Sequence, residues 1–225
     1  MRTLALLVVV VVGSGTDVAR AQEPPVVVAT GAAIVSRAPD TAFVSIAVET
    51  RAKSPRDAQR QNADLMGVVV KRLAELSIAG DARRTTGVRL EQEYDNANGR
   101  RVARDFLARN SLEVRVDDVA RAGEIADAVV QAGATSIDGI RFDLKDRAAV
   151  EREAIRLAVL DARGRAEAAA AGAGRAIDRI LKIEDGERFS IPRPMVGAMR
   201  VDSATVVEPG LIDVRASVTV TVSMK

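Results

Sequence analysis

The stretch ARNSLEVRVDDVARAGEIADAVVQAGATSIDGIRFDLKD, residues Ala108–Asp146, carries a strand, a helix and a second strand in succession. Its first part alternates apolar and polar residues, as a half-buried strand does. Asp117 or Asp118 then caps a helix that Gly133 closes, because aspartate favours helix starts and glycine favours helix ends. Residues 137–144 form a short strand with Ile140, Phe142 and Leu144 on one face.

The segments on either side extend this pattern to the order β-β-α-β-β-α-β-α-β-β. Strand pairs that alternate with single helices favour an α+β fold, with antiparallel sheets and the helices packed on one face. A structural pseudo-repeat of two strand–helix lobes is compatible with this order. The other strands are predicted at 26–35, 42–50, 85–94, 101–116, 176–187 and 212–224, and the helices begin near 55, 119 and 146.

Small residues predict two places of close packing. Gly31 in the first strand allows a bulge or the close approach of another backbone. The second half of the long helix, residues 162–174, is ARGRAEAAAAGAG, so another backbone can pack against it closely. In the first half of that helix, the residues expected to be buried are Val150, Ile155, Leu157 and Leu160. In the first helix, they are Ala58, Asn62, Leu65, Val69, Leu73 and Leu76.

Composition narrows the possible functions. Of 225 residues, 48% are hydrophobic, 28% charged and only 2% aromatic, and the formal charge is +2. The chain contains no His and no Cys, which excludes Cys/His zinc sites, a Ser-His-Asp triad, a cysteine nucleophile and disulfides. Neither a dense basic face nor aromatics for base stacking are visible, so we expect no nucleic-acid partner.

The N-terminus has two competing interpretations. Five valines before Gly13, Ser14 and Gly15 could be a strand that enters a dinucleotide-binding helix, but the third glycine and the later acidic residue are missing. The positive start, the nine-residue apolar run and Ala19-Arg20-Ala21 are typical of a signal peptide. We therefore predict cleavage between Ala21 and Gln22, a signal peptide at 1–21 and a mature domain at 22–225. An uncleaved anchor is the alternative, although the apolar run is too short to span a bilayer.

Several polar motifs have a structural interpretation beside a chemical one. The carboxylates of Asp143, Asp146, Glu151 and Glu153 could pair as acid and base, but helix capping explains acids at a helix start. Residues 184–187 could form a calcium loop, yet they lack alternating oxygen ligands. Gly172-Ala173-Gly174 follows a helix, which favours a C-cap over a phosphate loop. Acidic neighbours neutralise the arginines of the long helix at 152, 156, 163 and 165. We predict no catalytic, metal or cofactor site.

The excursion between the last two strands, residues 189–207, is rich in apolar residues where a surface loop is expected. It either folds back over its own lobe or contacts a partner, because exposed apolar patches tend to mark interfaces. The candidate partner contacts are Phe189, Ile191, Pro192, Met195, Val196 and Met199.

Four segments together resemble one known family. They are ATGAAIVSRAPDTAFVSIAVET, LAELSIAGDARRTTGVRLEQEY, the stretch quoted first, and EAIRLAVLDARGRAEAAA. They are similar to the SIMPL-domain family of secreted bacterial proteins, which includes periplasmic immunogenic antigens. The chain departs from the family pattern at Glu208-Pro209-Gly210-Leu211, just before the last strand.

The resemblance implies a two-lobed α+β fold, a periplasmic location and, in some members, large ring-like oligomers. It also implies a link to envelope and oxidative-stress tolerance, without a catalytic site to carry over. We therefore expect a non-enzymatic, self-assembling periplasmic protein with possible peripheral association with the envelope. The alternative is a monomeric periplasmic protein that binds a small ligand or an envelope component between its lobes.

Overall fold

The computed structural model describes residues 25–97, 99–186, 190–192 and 207–225. Single-turn 3-10 helices lie at Gly80–Ala82 and Val119–Arg121. The helices are α1 (Pro55–Glu75), α2 (Ala122–Gln131) and α3 (Arg147–Gly172). The strands are β1 (Val26–Arg37), β2 (Thr41–Ala52), β3 (Arg83–Ala97), β4 (Arg100–Val116), β5 (Ser136–Asp143), β6 (Ile177–Asp185), β7 (Ser190–Pro192) and β8 (Ile212–Met224).

The strands form two antiparallel sheets, each with its own helices and its own core. Lobe 1 is the sheet β3-β4-β2-β5 with α1 and α2, and lobe 2 is the sheet β1-β8-β6 with α3. The short strand β7 pairs with the start of β8. The α+β class and the order of elements are confirmed, with β7 as an addition inside the predicted excursion.

The core of lobe 1 lies between β2, β4 and the two helices. Alternate residues of β2 point into it, among them Val44, Ile46 and Val48, all fully buried. The prediction that α1 buries Leu65 was wrong, since Leu65 is 36% exposed and Met66 is buried instead. The other predicted residues of α1 are buried, and Leu76 just beyond the helix is half-buried. The buried stripe of α1 consists of Ala58, Asn62, Met66, Val69 and Leu73.

The helix α1 begins at a side-chain cap and ends where one residue turns left-handed. The backbone N–H of Asp57 donates to the side chain of Ser54, and Pro55 is the first helical residue. The helix ends at Glu75, before Gly80, because Ser77 adopts a left-handed conformation with φ 64°. Asp118 rather than Asp117 accepts from the N–H of Ala120 at 3.2 Å, but it caps the 3-10 turn Val119–Arg121. The helix α2 itself begins at Ala122 without a side-chain cap, so the prediction that an aspartate caps it was wrong.

In lobe 2 the fully buried residues of α3 are all alanines, and the predicted Val150, Ile155 and Leu157 are half-buried against the same core. Ala154, Ala158, Ala162, Ala166 and Ala170 recur at every fourth position and are fully buried. The prediction that Leu160 is buried was wrong: it is 54% exposed, since it lies two residues beyond Ala158 and therefore on the opposite side of the helix.

The alanine stripe fits because the backbone of β1 comes very close at Gly31. A methyl group at Gly31 would lie 2.2 Å from the backbone N of Ala162 and 2.3 Å from the carbonyl O of Ala158. Both predicted sites of close packing are therefore confirmed, and they are the two sides of one contact.

Backbone and side-chain hydrogen bonds join the two lobes where the chain crosses between them. The N–H of Asp40 donates to the carbonyl O of Asp143 at 3.2 Å, and its carboxylate accepts from the N–H of Lys145 at 2.7 Å. Arg37 at the end of β1 pairs with Glu153 on α3 at 2.7 Å. The turn at residues 37–40 thus ties the end of β5 and the helix α3 to the crossing.

Candidate functional site

In each sheet one edge strand is left uncovered by the helices: β3 in lobe 1 and β6 in lobe 2. In lobe 1, α1 lies over β2 and β4, so that Val88 and Leu90 on the helix side of β3 are 68% and 43% exposed. In lobe 2, α3 lies over β1 and β8, so that Ile180 and Ile183 of β6 are 41% and 54% exposed. Apolar strand residues that would normally belong to a core therefore face solvent on both lobes.

The edge of β3 is regular only over a short stretch. Register shifts relative to β4 occur between Thr85 and Gly87 and again between Gln92 and Tyr94. Between them, residues 87–92 pair with β4 without interruption. Bulges protect edge strands against uncontrolled pairing, so this six-residue stretch is the part of the edge that can accept another strand.

The opposite face of the lobe 1 sheet is a network of ion pairs. Arg109 on β4 donates to both Glu49 on β2 and Asp138 on β5, and it thereby ties three strands together. Both hydrogen bonds raise the pKa of Arg109, and the one to Asp138 has the larger effect. The hydrogen bond from Arg109 likewise lowers the pKa of Asp138. Further pairs on this face join Arg51 to Glu93 and Arg84 to Glu113, at 3.0 and 2.8 Å.

The carboxylate of Asp138 in this network is held in its charged form. A carboxylic acid that donates a proton near neutral pH needs a raised pKa, which burial without a cation provides. Four carboxylates in the described part of the chain have a pKa that clearly departs from its usual value, and in each the pKa is lowered: Asp105, Asp138, Asp143 and Asp161. The residues the structure describes also contain no group of three or more acids placed to hold a metal ion.

The four acids around the start of α3 cap the helix or pair with arginines, and Asp143 and Glu151 share Arg147. Asp146 caps the helix, accepting from the N–H of Ala149 at 2.8 Å. Asp143 binds Arg141 and Arg147 at 2.6 and 2.9 Å. Glu151 also pairs with Arg147, and Glu153 with Arg37. The predicted capping role is confirmed for Asp146, whereas the other three acids form ion pairs.

The other polar motifs also fit their structural interpretation. Ala173 is the C-cap of α3 and Gly174 follows with φ 70°, as a helix end requires. The arginines in the second half of α3 pair with acids one turn away, Arg163 with Glu167 and Arg165 with Asp161. Glu184 pairs with Lys182 at 2.8 Å, while Glu187 lies outside the described residues.

The excursion is described only in part. The backbone of Ile191 and Pro192 belongs to β7 and pairs with Asp213 and Ile212 of β8, so this piece returns to its own lobe. The remaining candidate contacts and the predicted cleavage site lie outside the described residues: Phe189, Met195, Val196, Met199, Ala21 and Gln22.

A shallow pocket of about 470 Å³ lies beside α1 and α2, where the chain leaves the excursion. Val207 forms one wall, and Arg72, Leu76, Glu124 and Gln131 contribute to the others. Its walls mix apolar and charged side chains. A small polar molecule could occupy this pocket.

The sequence pattern did not reveal the uncovered edges. Val88 and Leu90 alternate with charged residues as in any half-buried strand. Their exposure depends on which strands α1 covers, and no residue within β3 encodes that choice.

The fold and these surfaces can be compared with known proteins. A family model described as "SIMPL: Protein of unknown function (DUF541)" matches residues 27–222. The chain belongs to the SIMPL family. The match includes β1 and all but the end of β8, and therefore both lobes.

Individual SIMPL relatives support the same assignment. The 26 kDa periplasmic immunogenic protein of Brucella melitensis is 26% identical over 178 residues, which cover 77% of this chain and 71% of that protein. The uncharacterized protein YggE of Escherichia coli K12 is 24% identical over 182 residues, covering 81% and 74%. None of the helices in the described part of this SIMPL chain is long and apolar enough to cross a membrane.

Proposed function

We propose that this SIMPL protein is a non-enzymatic periplasmic protein that acts by self-assembly and supports tolerance of envelope or oxidative stress. The observation that carries the proposal is the uncovered apolar side of both edge strands, Val88 and Leu90 on β3 and Ile180 and Ile183 on β6. Unpaired strand edges with exposed apolar residues are templates for pairing with another chain.

The charged residues agree with a binding role rather than a catalytic one. Arg109, Glu49 and Asp138 satisfy one another within the lobe 1 sheet. Such a network holds the strands of the sheet together, while the strand edges remain free to bind.

Self-assembly is tested by the mass of the protein in solution. We expect light scattering after size exclusion to give a multiple of the chain mass at micromolar concentration. A single-chain mass over the whole accessible concentration range contradicts assembly.

Location and stress tolerance need separate measurements. We expect the protein in the periplasmic fraction, with an N-terminus that begins at Gln22. Deletion of the gene should increase sensitivity to peroxide or detergent, and re-expression of the chain should restore tolerance. Unchanged sensitivity to both agents contradicts the stress role.

The pocket beside Val207 favours a second candidate, a monomeric protein that binds a small polar ligand of the envelope. Its charged walls include Arg72 and Glu124. In that case Arg72→Ala abolishes binding of the ligand, and the mass stays that of one chain.

A further inference from the structure

The edge of β3 has a charge pattern that is complementary to itself. On the side of the sheet away from the helices, Arg89 and Glu91 flank the position of Leu90. Both are exposed, and neither forms an ion pair with any of the residues that the structure describes. Arg89 faces Arg109 of its own sheet, whose guanidinium is already bound to Glu49 and Asp138.

We propose that β3 pairs with β3 of a second copy of this chain, antiparallel, with Leu90 on the two-fold axis. A two-fold interface uses the same patch on both subunits, so residue i faces j while j faces i. With Leu90 opposite Leu90, Arg89 of each chain lies opposite Glu91 of the other. This inference rests on the proposed self-assembly and names the surface that would carry it.

The two faces of the sheet limit the possible registers. Val88 and Leu90 lie on the helix side, whereas Arg89 and Glu91 lie on the other. Residues that face each other across antiparallel strands share a face. Only every second register therefore keeps the apolar residues of both copies on the side of the helices.

Charge selects one of the permitted registers. A shift in one direction places Arg89 opposite Arg89, and a shift in the other places Glu91 opposite Glu91. Like charges directly opposite each other destabilise a sheet, while opposite charges stabilise it. The register centred on Leu90 forms two Arg–Glu pairs and one Leu–Leu pair, and the bulges at both ends of residues 87–92 keep the paired stretch short.

The dimer joins the two lobe 1 sheets into one continuous sheet of eight strands. The α1 and α2 helices of both copies then lie on the same side. There Leu90 of each copy lies opposite Leu90 of the other and Val88 lies opposite Gln92, so the exposed apolar strip of each chain is covered by its partner.

Charge reversal tests the pairing with the full chain. Arg89→Glu places acids opposite acids, and Glu91→Arg places arginines opposite arginines, so each variant alone should lose the dimer contact and show a lower mass by light scattering. The double variant R89E/E91R restores both pairs and should regain the original mass. An equal mixture of the two single variants should also associate, because each supplies the charge that the other lacks.

Matched controls separate this contact from a general effect of charge. Arg152→Glu on α3 and Asp64→Arg on α1 change exposed residues that form no ion pair with any residue the structure describes, and they should leave the mass unchanged. Circular dichroism confirms that each variant is folded.

If the wild-type chain is oligomeric and the four β3 combinations do not follow the predicted pattern, β3 pairing is wrong while self-assembly stands. If the wild-type chain is monomeric, both proposals fail.

A single cysteine gives an independent test that does not depend on charge. The chain has no Cys, so Leu90→Cys introduces one thiol at the two-fold axis. Facing residues of antiparallel strands are close enough for a disulfide when they form a non-hydrogen-bonded pair, and a short bifunctional maleimide bridges the other case. We expect a crosslinked dimer from Leu90→Cys and none from Val68→Cys, an exposed apolar position on α1. Equal crosslinking of the two variants overturns the proposal.

Discussion

Gly31 is the residue at which the packing of lobe 2 is least tolerant. A methyl group there would overlap the backbone of α3 at Ala158 and Ala162, and backbone atoms cannot move aside as a flexible side chain can. We expect Gly31→Ala to lower the free energy of unfolding by about 3 kcal/mol, the upper end of the usual cost of overpacking.

Urea denaturation measures this effect, and Gly67→Ala is the matched control. Nothing lies within 4 Å of a methyl group at Gly67, which is inside α1. The control should raise stability by roughly 0.5–1 kcal/mol, the usual advantage of alanine over glycine in a helix. Equal effects of the two substitutions contradict the close contact at Gly31.

Asn62 holds α1 to two strands of lobe 1. Its side-chain amide is buried and donates to the carbonyl O of Val48 at 2.7 Å and of Ala108 at 3.0 Å. Asn62→Ala leaves both carbonyls without this donor, so we expect a loss of about 2 kcal/mol of unfolding free energy. Asp64→Ala, at an exposed position of the same helix, should change it little, and a similar loss in both variants contradicts the role of Asn62.

Gly31 and Asn62 show how much of the packing of single residues could be predicted from the sequence. Gly31 was expected to allow a close approach, because a glycine within a strand has few other uses. Asn62 was placed correctly on the buried stripe of α1, but its partners are backbone carbonyls 14 and 46 residues away. No local pattern indicates such partners.

Among the elements, the junction of β5 and α3 depends on an ionised carboxylate. Burial of Asp143 raises its pKa, but hydrogen bonds from the N–H of Leu144 and from Arg141 and Arg147 outweigh this and lower its pKa overall. The carboxylate therefore stabilises the fold above the pKa of an unfolded aspartate, about 3.9. This contribution is lost as the pH falls through the lower pKa of the folded state.

Asp143→Asn tests this dependence. We expect the variant to be less stable than the wild type at pH 6 and to lose less further stability between pH 5 and pH 2. Urea denaturation at several pH values gives both quantities, with Asp64→Asn as a control at an exposed site that forms no ion pair with any described residue. Parallel pH curves for the wild type and Asp143→Asn contradict the role of the carboxylate.

The elements themselves followed largely from periodicity and capping. The strands of the β3–β4 hairpin extend beyond the predicted 85–94 and 101–116, because backbone pairing continues through polar residues such as Asp95 and Asn96. Alternation indicates which residues of a strand can be buried. It does not indicate which strands are neighbours or which of them a helix covers, and so the uncovered side of β3 appears only in the structure.

At the scale of the whole molecule, two separate cores predict two units of stability. Leu73 belongs to the core of lobe 1 and Val220 to that of lobe 2, and both are fully buried. Leu73→Ala removes buried apolar atoms and should cost about 3 kcal/mol in lobe 1. We expect native-state hydrogen exchange to accelerate in the amides of β2 and β4 and to change much less in β1 and β8.

Val220→Ala is the reciprocal variant. It should accelerate exchange in β1 and β8 and leave most amides of β2 and β4 protected. If both variants accelerate the same amides to the same extent, the two lobes unfold as one cooperative unit and the prediction is wrong.

The pairing of β1 with β8 determines the order in which the two lobes can fold. These strands pair along their whole length, from Val26 with Ser223 to Arg37 with Ile212, although nearly the entire sequence separates them. Lobe 1 is built from one continuous segment, β2 to β5, and can form as soon as that segment has emerged from a ribosome or a translocon. Lobe 2 must wait for β8, since loop closure over such a distance is slow. During synthesis β1 therefore has no strand partner until β8 has been made, and this interval is when lobe 2 is most accessible to chaperones.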